Sequence, residues 1–162
     1  MTVLVPMSAA SFSAFLETAV AGYAKQNVSS GRWPAETSLE LSIAEHQRLL
    51  PDGIASKDNY IFEIHDPATD VVVGSLWVGA QNRTGIPLAY VFNIEIAPEH
   101  RRQGHATRAF EALEPVVHEL GLSAIGLNVF AYNTGAQALY ASLGYEVTAL
   151  SMRKTLSSEG NI

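Results

Sequence analysis

"EIAPEHRRQGHATRAFEAL", residues 95–113, changes character in its middle. It opens as the end of an apolar-alternating run and breaks at Pro98. It then passes Arg101, Arg102, Gln103 and Gly104, and continues with helical periodicity. A helix that starts here leaves its first N–H groups without partners inside the helix. Glycine permits a tight turn, and a helix N-terminus favours negative charge. A purely structural turn would also account for the glycine. The strand before it, the helix after it and the small residue at Ala106 sharpen the reading. Successive N–H groups at such a junction can cradle a pyrophosphate, so the stretch predicts an anion site.

The rest of the chain bounds what that anion serves. The 162 residues are most simply one domain over 1–156 with a flexible C-terminal tail over 157–162. A hydrophobic fraction of 48% with 16% charged residues places the chain among globular proteins. No apolar run approaches the ~20 residues that cross a bilayer. "MTVLVPMSAASF" lacks the basic start of a secretion signal. No membrane partner is expected, and a cytoplasmic location is the default. The absence of cysteine excludes disulfides, thiolate metal sites and a Cys nucleophile. A formal charge of −6 argues against nucleic-acid binding, which needs a basic footprint, and suits an amine-bearing acceptor slightly better.

Outward from the opening stretch, residues 2–6 read as a short strand ending at Pro6. Ser8 or Ser11 is placed to cap a helix running to about Gln26, with Phe12, Phe15, Leu16, Ala19, Val20 and Tyr23 on its apolar side. A second helix is predicted over 36–50. "NYIFEIHD" and "VVVGSLWVG" form a hairpin candidate around "PATD", "AQNRTGIP" reads as loop, and "LAYVFNIEIA" is the next strand. After the helix that follows Gly104, interrupted by Pro115 and stopped by Gly121, "SAIGLNVFA" is a strand. Asn133 can cap a helix that Gly144 ends, and "YEVTALSMRKTL" reads as a last strand. Strand and helix alternate in one α/β or α+β domain.

Two segments carry the chemistry. The first is Arg101-Arg102-Gln103-Gly104-His105-Ala106. The second, "NVFAYNTGAQALYASLGY", sets Asn133 at a strand–helix junction and Ala136 and Tyr140 on one helix face, before Gly144-Tyr145. For Tyr140 alone, core packing is the ordinary explanation. Together the segments resemble the GNAT superfamily of N-acetyltransferases. The first matches that family's acetyl-CoA signature, Gln or Arg, two residues, Gly, one residue, then Gly or Ala. The preceding "IEIAPEH" looks like its central strand with a proline exit.

The resemblance implies a GNAT-like α/β (α+β) domain, a mixed, mostly antiparallel sheet of six to seven strands with helices on both faces. It implies that the central strand and its successor splay apart, leaving a slot for the pantetheine of acetyl-CoA. Cofactor contacts would come from Ile94, Ile96, Arg101, Arg102, Gln103, Gly104, His105, Ala106, Asn133, Ala136 and Tyr140. The amine would attack the thioester directly, without an acyl-enzyme. A main-chain N–H around Ile94 to Ile96 would polarise the carbonyl oxygen. Tyr140 holds the family position for protonating the departing thiolate, a role a phenol with a reference pKa of about 10 can fill.

The base is the least legible part. Glu95 is the only acidic residue in "YVFNIEIA", and a solvated or ion-paired strand carboxylate is its other reading. Asn93 and Asn128 could only orient a water. His65, His100 and His105 are alternatives by chemistry. No His and carboxylate spacing marks a metal site, so none is expected. Trp33, Tyr23 and Trp77 fall near segments that wall the acceptor cleft in the family, though ordinary core or surface packing is the leading reading for each taken singly. The final segment has no room for the long loop many members place there. The acceptor site is then open on that side or completed by a second subunit, which makes a homodimer one expected form.

The leading function is acetyl transfer from acetyl-CoA to a primary amine of a small molecule. An alternative acceptor is a protein N-terminus or lysine, since "VFNIEIAP" and "ALYASLGYE" look like the ribosomal-protein alanine acetyltransferase branch. That branch's glutamate on the following strand is Asn128 here. A third reading, of another class, is a non-catalytic acyl-CoA-binding module.

Overall fold

A computed structural model describes residues 3–83 and 85–158. The chain runs β1 (Leu4–Pro6), α1 (Ala9–Ser29), α2 (Ser38–Leu49), β2 (Asn59–His65), β3 (Val72–Arg83) and β4 (Ile86–Ile96). It continues through α3 (His105–Glu119), β5 (Ile125–Leu127) and α4 (Thr134–Ser142). The sheet order is β1-β2-β3-β4-β5. Every neighbouring pair is antiparallel except β4 and β5. Sequential strands can pair this way through short turns, whereas the parallel step from β4 to β5 needs the α3 crossover.

Period-2 alternation assigns the two faces of the sheet. Leu76 and Val78 of β3 join Phe62, Ile64, Ala89 and Val91 under α3, which contributes Ala109, Phe110, Leu113 and Val117. Trp77, between them in sequence, points the other way and packs with Ile61 against Phe15 and Ala19 of α1 and Leu50. Fully burying side chains of this size contributes about 1.5–3 kcal/mol each. Helices thus cover both faces. Among the described residues no helix is long and apolar enough to cross a membrane.

The sheet departs from expectation in its strand number. The described residues form five strands, not six to seven. Residues 145–156, expected as a last strand, belong to no helix or strand. Their composition suits a strand, but β-propensity expresses fit to a paired, half-buried surface, and here the segment has no partner strand. The expected loop at 80–87 is mostly strand. β3 and β4 pair as far as Arg83 and Ile86, and Gly85 takes the left-handed conformation at φ 84°. The expected strand over 123–131 contracts to Ile125–Leu127, and α1 continues past Gln26 to Ser29. α3 runs through Pro115 without ending, at the cost of the hydrogen bond that proline cannot donate.

One irregularity positions the site. Val78 pairs with Val91 and Trp77 with Asn93, so Phe92 is an extra residue in β4. Such a bulge bends its strand and increases its twist. Phe92 stacks on Trp77 at 4.6 Å between centroids. Gly79 makes the room, since a Cβ there would lie 2.6 Å from the Phe92 ring. On the other side of β4, pairing with β5 covers only Ala89 to Val91 and stops at Leu127. β4 continues to Ile96, so the two strands part beyond the bulge.

Candidate functional site

The parting leaves part of the β4 main chain without a neighbour. Ala97 N–H bonds to Val73 O on the β3 side. Ile96 O is turned the other way, where it accepts from Arg101 Nε at 2.9 Å. By alternation, the main-chain groups of Ile94 and Ile96 face the gap beside β5. Their side chains pack against the core under α3.

At the end of β4 the chain turns through Pro98–His100 and enters α3. Gly104 is the N-cap, with φ 81°, and Arg102 has φ 62°. The left-handed φ at position 104 explains the glycine there, because a Cβ is disfavoured in that conformation. Among the described residues the N–H groups of Gln103, Gly104, His105 and Ala106 have no hydrogen-bond acceptor. They cluster at a helix N-terminus, the arrangement that binds phosphate.

The side chains around this cradle divide in a way the sequence does not reveal. Arg101 folds back onto β4, with Nη2 3.7 Å from Glu95 Oε1. Arg102 is exposed. Arg108, one turn into α3, closes the cradle from inside. Its Nη2 donates to Gln103 O at 2.9 Å and lies 2.7 Å from His105 Nδ1. Arginine has no acceptor, so Nδ1 of the buried His105 accepts this bond. Arg108 was not singled out from sequence. A basic residue four positions after the cap glycine was the available signal.

Asn133 is placed as expected. Its side chain accepts from Ala136 N at 3.1 Å and caps α4. Tyr140, on that helix, lays its ring edge-on to Phe110 at 5.4 Å and lies 5.7 Å from Tyr145. Burial raises its phenol pKa, so the group keeps its proton at neutral pH and remains a donor.

Glu95 projects to the face covered by α1. With Glu17, Thr18, Ala21, Gly22 and Lys25 of α1 it lines a cavity of about 430 Å³. The other base candidates lie elsewhere. His65 Nδ1 is 2.9 Å from Asp70 Oδ1 in the β2–β3 turn. The ring of His100 lies 6.3 Å from that of His105. Trp77 takes the packing role that was its ordinary reading and lies in the core. It is buried, and its Nε1 donates to Asn59 Oδ1 at 2.8 Å. Among the described residues no group of His, Asp and Glu side chains could hold a metal ion.

A five-stranded mixed sheet, parted beyond a bulge and followed by a phosphate-type turn, defines a class of acyl-transferring domains. Residues 26–145 match the family model described as "Acetyltransferase (GNAT) family", and the chain belongs to that family. It is an acetyl-transferring enzyme of the N-acetyltransferase type, and the family uses acetyl-CoA. Its relatives include the uncharacterized N-acetyltransferase YdgE of Bacillus subtilis (strain 168), 31% identical across 93% of this chain and 95% of that protein. YycN of the same organism is 29% identical across 94% and 97%. The crystal structure of YycN superposes with a TM-score of 0.88 across 94% of this chain and 97% of that one. The [Ribosomal protein bS18]-alanine N-acetyltransferase of Escherichia coli (strain K12) is 39% identical over 57 residues, 35% of this chain and 38% of that protein.

Proposed function

We propose that the enzyme moves an acetyl group from acetyl-CoA directly to a primary amine of a small molecule. The observation that carries this reading is the cavity beside the parted strands, where the carboxylates of Glu17 and Glu95 meet Lys25 and the solvent. Two carboxylates attract a cationic amine and offer a place for its proton. The cavity adjoins the gap through Glu95, whose neighbours Ile94 and Ile96 turn their main chain into it.

Acetyl-CoA supplies an activated thioester. The N–H groups of Gln103, Gly104, His105 and Ala106 hold its pyrophosphate, with Arg102 and the inward-turned Arg108 adding positive charge. Arg101 steadies the end of β4 and Glu95. Asn133 and Ala136 fix the start of α4, and so the position of Tyr140. The N–H of Ile94 or Ile96 hydrogen-bonds the carbonyl oxygen and strengthens that bond as charge develops. Glu95 takes a proton from the ammonium, directly or through a water, because only the neutral amine attacks. Tyr140 donates its hydroxyl proton to the departing sulfur, and the second proton shed by the acylated nitrogen passes through solvent to restore the phenol. The reading keeps the cytoplasmic location expected from the sequence.

A second reading has a specific support. The partial match to a protein-alanine acetyltransferase favours a peptide N-terminus as acceptor. Asn128 stands where that branch's glutamate is expected, which favours the small molecule. Panels of small amines and of N-terminal peptides, incubated with acetyl-CoA and read by release of free thiol, separate the two. Turnover confined to peptides would reject the small-molecule reading.

The phosphate assignment has its own test. Gly104→Val forces a β-branched residue into a left-handed conformation, with Cβ 2.9 Å from Arg108 Nη1. The Kd for acetyl-CoA, measured by titration calorimetry on folded variant, is expected to rise tenfold or more, ~1.4 kcal/mol. Unchanged affinity would remove the basis for placing phosphate there.

A further inference from the structure

The cavity beside Glu95 has two features that holding a plain amine does not require. The first is its arrangement of charge. Glu17, Ala21 and Lys25 recur at four-residue spacing and so lie along one side of α1, with Thr18 and Gly22 beside them. Eight residues of helix set Glu17 and Lys25 about 12 Å apart along the axis, a span that two long side chains shorten. Among the described residues neither side chain takes part in a hydrogen bond or an ion pair. Glu95 completes the lining, and its own partner is Arg101 at 3.7 Å. Two carboxylates thus stand with two cations, of which Arg101 is engaged with Glu95 and Lys25 is not engaged.

The second feature is Gly22. It sits in the interior of a 21-residue helix, where glycine is less stable than alanine because it loses more backbone freedom on folding. Its φ is not left-handed, so the backbone does not require it. Packing does not require it either, since a Cβ there would meet nothing within 4 Å. The fold would accept a side chain at this position, and the cavity is the space that side chain would enter.

We propose that the acceptor is a primary amine that also carries a carboxylate, an amino acid rather than a plain amine or a polyamine. The inference rests on the acceptor reading of this cavity given above and names its substrate class. The ammonium lies between Glu17 and Glu95, and the carboxylate pairs with Lys25 across the open space at Gly22. The carboxylate takes no part in the transfer. It decides which amines are held. A polyamine would bring a second cation up to Lys25, and like charges at close range repel. A plain alkylamine would leave Lys25 without a partner.

Three probes of matched length test it: 4-aminobutyrate, butylamine and 1,4-diaminobutane. The Kd of each is measured by titration calorimetry on the enzyme loaded with CoA, where no acetyl group can move, and kcat/KM is measured with acetyl-CoA. The wild type is expected to favour 4-aminobutyrate over butylamine by about fivefold in both measures, the upper end for a solvent-accessible ion pair, and to bind the diamine least. Lys25→Met is expected to erase the preference for the amino acid, and Lys25→Glu to place the diamine first. Gly22→Leu is expected to raise Tm, as a better helix former in a helix interior should, while weakening 4-aminobutyrate about tenfold. A purely structural glycine would give the rise in Tm alone. Equal handling of the three probes, or an order that Lys25→Glu leaves unaltered, would overturn the inference and leave acetyl transfer to small amines standing. Binding of 4-aminobutyrate that survives Gly22→Leu, or no binding of any probe, would overturn it too. The expected preference in binding with no transfer to any probe would keep the ligand class and reject the acceptor role.

Discussion

Tyr140→Phe is expected to lower turnover by ~10²-fold while leaving the KM for acetyl-CoA near that of the wild type. The ring packs edge-on to Phe110, and phenylalanine keeps that contact. The hydroxyl acts on sulfur only as the carbon–sulfur bond breaks, so its loss falls on the transition state rather than on cofactor binding. The size is the lower end of what a positioned acid contributes. Measuring kcat, KM and Tm on one preparation decides the matter. Full activity in the variant would leave Tyr140 as a packing residue. A drop in Tm of many degrees with proportionate loss of activity would point the same way. The raised phenol pKa adds a check at alkaline pH. The folded state holds the phenolic proton more tightly than the unfolded chain does. The associated stability is complete below about pH 10 and is lost as pH rises through the folded value. Tyr140→Phe removes that part of the alkaline sensitivity.

Glu95→Gln is expected to lower kcat/KM for the amine by ~10²-fold at neutral pH if the carboxylate accepts the ammonium proton. The accompanying change in shape is small. Glutamine can still line the cavity beside Glu17 and Lys25. The ion pair it gives up, Arg101 Nη2 to Glu95 at 3.7 Å, is solvent-exposed on both sides. A pair of that kind contributes about 0–1 kcal/mol, so Tm should hardly move. A variant with an unaltered rate would assign Glu95 to its pairing with Arg101. The proton would then leave through water held by other groups.

The turn at Gly104 was readable because it is made by neighbours in sequence. Gly104 needs a left-handed φ, its following N–H groups are orphans of any helix start, and both facts are local. Asn133 and its bond to Ala136 were readable for the same reason, a cap spanning three residues. Other parts of the site were not legible. Nothing in "YVFNIEIA" marks Phe92 as an extra residue, because a bulge exists only in relation to the register of β3. The pairing of Arg108 with His105 needs the first turn of α3 to be built before its geometry can be stated.

By itself, then, the sequence determined the order of helices and strands as far as α4, the turn into α3 at Gly104 and the family. Each rests on periodicity, on backbone preference or on contacts a few residues apart. Tertiary structure alone decided where β4 parts from β5, and that Glu95 faces α1 while Ile94 and Ile96 turn their main chain to the gap. It also decided that Trp77 is core and that the strand-like segment after Tyr145 finds no place in its own sheet. These outcomes depend on register between distant strands and on which surfaces are already covered. Neither is a property of any stretch of chain taken alone, because a strand forms only where distant residues pair with it.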